Sequence, residues 1–337
     1  MSFWQNRRVL VTGATGFVGS ALALRLAAAG ARVTGLGRNL AAVAHLEESG
    51  VTLRQADLRD QAAMRAAVAG QEVVFHAAAW LSGRHGKESE AYALNVTAVQ
   101  ELVRAAGDAG ISRFVHISSV AAYGPPRDGD VLESQAVATQ QRDVYGRTKA
   151  IGESEARRLA QASGLPLVIA RPGMIYGPRA YGWTVNMLTL VQKRTPVILG
   201  RGDGYACPIY IDNFLDGLLL AGSHAAAAGH AFNFCDAPIT WRQFFDYYGT
   251  MCGKRPVRLP LGATQAMIKL LYPLGLSPGG ITPDLLHFYT AKARYPTTQA
   301  EQLLGYQARV GIDEGMRRAE SWLREQGYLP RAGNNLG

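Results

Sequence analysis

The sequence predicts an α/β fold, a doubly wound parallel sheet with a second, smaller domain. Three observations predict it. Strand-like and helix-like segments alternate through the first half of the chain, the pattern of β-α-β units. The strand segments are nearly continuous apolar runs, as expected where helices cover both faces of a parallel sheet. A spaced set of glycines stands at the first strand-to-helix turn.

The elements follow in order. RRVLVT (7–12) is the first strand, and a helical pattern follows it over 17–29. ARVTGL (31–36) and VTLRQA (51–56) are the next two strands, with a helix at about 40–48 between them. EVVFHAA (72–78), RFVHISS (113–119) and PLVIARP (166–172) complete the set, accompanied by helices at about 61–69, 89–109 and 144–163. Beyond 172 glycine and proline become frequent and the alternation loosens. Thr240 and Gln243 stand in capping-box spacing, so a helix opens at ITWRQFF. A last helix over 313–326 stops at Gly327, and the tail 331–337 is expected to be disordered. This division predicts a cofactor-binding domain over 1–171, to which 207–230 returns. The smaller, substrate-binding domain takes 172–206 and 231–330.

The 337 residues are 48% hydrophobic and 18% charged, a globular composition with material for a core. No apolar run reaches the length of a membrane span, so stable membrane insertion is not expected. MSFWQNRRVLVTG leads almost directly into a strand with no secretory pattern, which predicts a cytoplasmic protein. Cys207, Cys235 and Cys252 have no C-x-x-C spacing and read as reduced thiols, so neither a disulfide framework nor a metal site is expected. The net charge of +9 serves solubility or attracts an anionic ligand. Its lysines and arginines are scattered without aromatic interleaving, so a nucleic-acid partner is not expected.

VTGATGFVGS places Gly13, Gly16 and Gly19 in G-x-x-G-x-x-G spacing between strand and helix. Glycines there permit a tight turn and let the backbone approach a pyrophosphate, and the N–H groups at the helix start face its charge. A ligand-free glycine turn is the plainer reading, but the place after the first strand favours a dinucleotide site. The second strand runs into GLGRN (35–39). Gly37 holds the place of the acid that grips a ribose in NAD sites, and Arg38 matches a 2′-phosphate. NADP is therefore expected ahead of NAD. Two other readings of Arg38 stay open, a solvated loop residue and a guanidinium stacked on the adenine. Asp57, in DLRD (57–60), either accepts from the adenine amino group or starts a helix.

YGRTK places Tyr145 and Lys149 four residues apart on one helix face. A phenol titrates near pH ~10, and an ammonium beside it stabilises the phenolate and readies it for proton exchange. Ser119 ends the fifth strand, at the carboxyl edge where open α/β sheets bind ligands.

These motifs resemble the extended short-chain dehydrogenase/reductase family, also called the NAD-dependent epimerase/dehydratase family. The resemblance covers nearly the whole chain: TGATGFVG, DLRD, HAAA (76–79), ALNVTAVQEL (93–102), HISSVAAYG (116–124), YGRTK, RPGMIYGPR (171–179) and PIYIDNFLDGLLLA (208–221). It implies a Rossmann-type sheet and a catalytic triad of Ser119, Tyr145 and Lys149, with Lys149 also holding the nicotinamide ribose. It implies cofactor contacts from Gly13, Thr15, Gly16, Phe17, Val18, Arg38, Asp57, Leu58, Ala77, Ala78, Tyr145, Lys149, Pro172 and Gly173. Asn95 matches an asparagine that is mainly structural. Relatives pair through the helices that lie here at about 89–109 and 144–163, which implies a homodimer.

Departures from the family pattern narrow the reaction. Ser119-Val120-Ala121 lacks the carboxylate of the sugar-nucleotide dehydratases. Met174 and Ala206 occupy the places of the asparagine and arginine with which epimerases hold a diphosphate. The RPGMIYGP run looks more like the 3β-hydroxysteroid and sterol dehydrogenase branch. The resemblance therefore implies an NAD(P)-dependent dehydrogenase or reductase for an alcohol/ketone pair in a fairly apolar small molecule, with an NDP-sugar epimerase as the alternative. A non-catalytic NADPH sensor fits less well, because Tyr145 is present. Trp80, Ser119, Met174, Tyr181, Trp183 and Met187 are candidate pocket residues, and Trp80, Tyr181, Trp183 and Met187 have at least an equal claim to core packing. The apolar stretch 266–276 is a lid, a membrane-surface helix or packing beneath a loop, with packing the leading expectation.

Overall fold

The computed structural model describes residues 2–81 and 87–330, so the expected tail at 331–337 lies outside the described residues. Seven parallel strands form the central sheet. They are β1 (Arg8–Thr12), β2 (Arg32–Gly37), β3 (Thr52–Gln55), β4 (Val73–His76), β5 (Arg113–Ile117), β6 (Leu167–Pro172) and β7 (Ala231–Phe234), in the spatial order β7-β6-β5-β4-β1-β2-β3. The order reverses between β1 and β4, which opens a crevice at the carboxyl ends of those strands.

Alternation along each strand builds two cores. Val9, Val11, Phe75, Val115, Ile117 and Val168 face one side, with Leu22 and Leu26 of α1 (Phe17–Ala28). Leu10, Val74, Phe114, Leu167 and Ile169 face the other, with Met64 and Val68 of α2 (Gln61–Val68) and Leu102 and Val103 of α3 (Ala98–Asp108). Ala156 and Ala160 of α4 (Val144–Ser163) close that second layer. The expected helix at 40–48 is only a 3₁₀ turn, Ala41–Val43, and a four-residue helix, His45–Glu48. Val43 and Leu46 are its only buried side chains there, too few to hold a longer helix.

Beyond β6 the longer helices are α5 (Ile211–Ser223), α6 (Trp241–Cys252), α7 (Leu261–Leu271), α8 (Pro283–Thr290) and α9 (Ile312–Glu325), with shorter ones at Asn186–Gln192 and Thr298–Leu304. Phe214 and Leu218 of α5 join the first core, so this segment packs with the main sheet. One expectation is corrected: 231–234, assigned from the sequence to the smaller domain, is the edge strand β7, paired with β6 from Ala231↔Ile169 to Phe234↔Pro172. The run AFNF is too short to announce its partner, and only the tertiary contact with Ile169 and Ala170 assigns it. Thr240 and Gln243 form the expected capping box at the start of α6. No helix among the described residues is long and apolar enough to cross a membrane.

Candidate active site

The predicted residues converge at the carboxyl edge of the sheet. Gly13 follows β1, Ala77 and Ala78 follow β4, Ser119 follows β5, and Gly173 follows β6. Gly13 adopts φ +70°, and a Cβ there would lie 2.7 Å from the Ala78 backbone. At Gly19 a Cβ would meet the Gly13 carbonyl oxygen at 2.1 Å, so the turn folds onto its own helix. Helix α1 begins after Gly16 with no side-chain cap and no acid in its first turn. Its first N–H groups are thus offered to an anion, and this cradle fits a dinucleotide pyrophosphate. Phe17, Val18 and Thr15 are half-buried around it, and Ala77 packs on the first core.

At the end of β2, a glycine at position 37 has a steric reason. A Cβ there would lie 2.1 Å from Thr15 Cγ2, so Thr15 occupies the space an acidic side chain needs. Arg38 is exposed and makes no ion pair among the described residues, while its carbonyl oxygen accepts from Gln55 Nε2 at 3.0 Å. Asp57 is not free: Arg59 donates to it from Nε at 2.9 Å, Nη2 at 2.5 Å and its backbone N–H at 3.0 Å. Those bonds hold its carboxyl down at about 2. The helix-starting acid is Asp60, which accepts from the Ala63 N–H at 3.0 Å and caps α2. Leu58 packs against the second core.

Asp143 caps α4 by accepting from the Gly146 N–H at 2.6 Å, which fixes the first turn that carries Tyr145. The Ser119 side chain lies close enough to the Tyr145 phenol to favour its ionised form. Burial raises the phenol's pKa, and the serine only partly offsets this. Lys149 lies one helical turn beyond Tyr145 on α4. Its Nζ donates to the Ile117 carbonyl oxygen at 2.6 Å. Burial drops the Lys149 ammonium to about 8, with Glu153 opposing the change. Beneath it, His76 of β4 and His116 of β5 stack with centroids 5.5 Å apart. Burial holds both imidazoles neutral, His76 down at about 3 and His116 well below its usual range.

A buried polar network behind Ser119, Tyr145 and Lys149 was not expected from the sequence. Glu153 lies one helical turn beyond Lys149, and its side chain is 0% exposed. Arg171 on β6, 3% exposed, donates to it from Nε at 3.0 Å and Nη2 at 2.5 Å. Arg171 Nη1 reaches the Tyr123 hydroxyl at 2.6 Å, and that hydroxyl donates to Asn233 Oδ1 at 2.8 Å. Burial favours a neutral Glu153, but Arg171 and Arg157 outweigh it and keep the carboxyl below its usual value. The i, i+4, i+8 spacing of Tyr145, Lys149 and Glu153 was the available signal. Asn95 is structural in the way its position implied: it accepts from the Trp80 N–H at 2.8 Å and donates to the Trp80 carbonyl and Thr148 Oγ1. It sits in a π-helical turn, Ala93–Thr97, whose Asn95 carbonyl would meet a Cβ on Gly152 at 2.0 Å, so α4 closes tightly here.

The candidate pocket residues separate. Trp80 and Ser119 stand at the catalytic edge. Met174 is buried in the first core, and its N–H donates to the Cys207 carbonyl at 2.9 Å. Trp183 packs near Trp241, with centroids 6.4 Å apart. Tyr181 is 63% exposed and hydrogen-bonds Tyr328, so it faces the chain's end. Met187 is buried in the first core as well.

The model of the NAD dependent epimerase/dehydratase family matches residues 9–235. The chain belongs to that family. Among relatives of this epimerase/dehydratase family member is 2-alkyl-3-oxoalkanoate reductase of Shewanella oneidensis, 30% identical over 336 residues, 93% of this chain and 85% of that one. Sterol demethylase protein B of Methylococcus capsulatus is 37% identical over 170 residues, 50% of this chain and 52% of that one. The fold is shared with UDP-glucuronic acid 4-epimerase from Bacillus cereus in complex with NAD, at TM-score 0.76 and 21% identity over 95% of this chain and 98% of that one. The family is one of NAD-dependent enzymes, and this chain is an enzyme of it.

Proposed function

We propose that this enzyme interconverts a secondary alcohol and a ketone on a fairly apolar small molecule and prefers NADP to NAD. The observation that carries the reading is the Ser119–Tyr145 pair at the sheet's carboxyl edge, with buried, uncharged Met174 and Ala206 where a diphosphate would need donors. A bound nicotinamide supplies or accepts the hydride. The Ser119 hydroxyl holds the substrate oxygen. Tyr145, whose raised pKa keeps the phenol protonated near neutral pH, gives its proton to that oxygen in reduction and recovers it in oxidation. Exposed Arg38 meets the 2′-phosphate. The relative named as an oxoalkanoate reductase supports a ketone on an alkyl chain as the substrate class.

The test is Tyr145→Phe with NADPH and a panel of 3-oxoalkanoates, steroid ketones and NDP-sugars. Cofactor binding should persist and ketone turnover should fall by about 10²–10⁴-fold. Turnover within a few-fold of wild type would remove Tyr145 from this role, and activity on the NDP-sugars alone would favour an epimerase. We also propose a homodimer paired through α3 and α4. Light scattering should give twice the chain mass, and a monomer at micromolar concentration refutes the pairing.

A further inference from the structure

The expectation that 266–276 packs beneath a loop is overturned. Helix α7 buries only Thr264, and α8 buries nothing. Leu270 and Leu274 are each 70% exposed and Leu276 is 53% exposed, with Tyr272 and Leu261 also open to solvent. Between the helices runs a groove of about 350 Å³ lined by Leu261, Ile268, Lys269, Leu286 and His287. A contiguous apolar surface of this kind marks a place where something docks.

We infer that this helical pair is a docking surface for an anionic lipid bilayer. Charge decides among the occupants. Residues 261–283 hold Lys269 and no acid, whereas Lys254 and Arg258, just before them, are turned to the Gln192 and Gly200 carbonyl oxygens. Lys292 and Arg294 pair with Asp203 and Asp130 from neighbouring loops, while Lys269, beside the leucines on α7, has no ion pair among the described residues. A second copy meeting this face offers Lys269 no acid on α7 to pair with. An anionic membrane surface attracts this cation and accepts the leucines at the headgroup boundary. The surface is also rooted beside the catalytic edge. Ala293–Arg294 pairs with Gly129–Asp130, the His287 ring nitrogen Nε2 meets the Pro126 carbonyl at 2.6 Å, and the Lys292 N–H donates to Asp128 at 2.7 Å. That loop leaves the 3₁₀ turn Val120–Tyr123, which Ser119 caps.

The inference stands apart from the substrate reading, because vesicle binding is read without turnover. The full chain is sedimented with vesicles of phosphatidylcholine alone and with added phosphatidylserine. It should bind the phosphatidylserine vesicles more strongly, and salt should weaken that binding. Leu270→Ser with Leu274→Ser should lower the partition coefficient by about tenfold for each leucine. NADPH binding and the circular dichroism spectrum should be unchanged. Lys269→Glu should lower binding only where phosphatidylserine is present. Wild type that stays in the supernatant with both vesicles, or a double-leucine variant that binds as wild type does, overturns the inference. A wild-type oligomer that dissociates when the leucines are replaced also overturns it and gives the face to a second copy.

Discussion

Replacing Arg171 by methionine removes the cation from a carboxylate that has no exposed surface. Glu153 would keep Arg157 at 3.1 Å, but that side chain is 38% exposed and its charge is shared with water. Breaking a buried pair by deleting one partner costs about 3–5 kcal/mol, a large share of the roughly 5–15 kcal/mol that holds a domain together. The pH dependence has a definite sign. In the wild type the Glu153 carboxyl lies below its usual value, so its contribution is present above the unfolded pKa and is lost in acid. Without Arg171 burial dominates and the folded pKa rises above the unfolded one. The variant's deficit then grows as pH rises and shrinks as pH falls. Urea denaturation of wild type and Arg171→Met near pH ~5 and pH ~8 measures both effects. Glu153→Leu combined with Arg171→Met removes both charges and should recover most of the loss. A single-variant loss below about 1 kcal/mol, or a double variant as unstable as the single, refutes the buried-pair argument.

Cofactor preference is tested by Arg38→Ala, which should narrow the advantage of NADPH over NADH by roughly 10- to 150-fold, as titration of each cofactor would show. Equal dissociation constants in the wild type would instead leave Arg38 to stack on the adenine. Reversal of the preference needs more than Gly37→Asp with Arg38→Asn, because the new Cβ meets Thr15 Cγ2 at 2.1 Å. Thr15→Ser should be included, and the triple variant should favour NADH. His116 stays neutral in the fold but takes up a proton when unfolded, so stability falls as pH drops below about 6.5. His116→Phe should flatten the stability profile by about 1.4 kcal/mol per pH unit between pH ~6 and ~4, and parallel urea-midpoint profiles would show that the ring is not buried neutral.

The strands were legible because β1, β4, β5 and β6 are each apolar on both faces, a pattern that needs no partner to be read. The glycine turn and the Tyr145–Lys149 spacing were legible because φ +70° at Gly13 and a shared helix face are local properties. The edge strand β7 was not, since four residues acquire a register only when β6 is beside them. Nor was the target of Lys149: helical spacing sets which face it lies on, while the Ile117 carbonyl decides where its ammonium goes. Chain order likewise gave no hint that Thr15 fills the space beside Gly37, or that Arg171 closes on Glu153 from another element. The composition of 266–276 was apolar in either case, and only the absence of a covering element in the tertiary structure made it a surface among the described residues. Local chain geometry depends on neighbours in sequence, but burial, ion pairing and exposure depend on what the rest of the chain brings alongside.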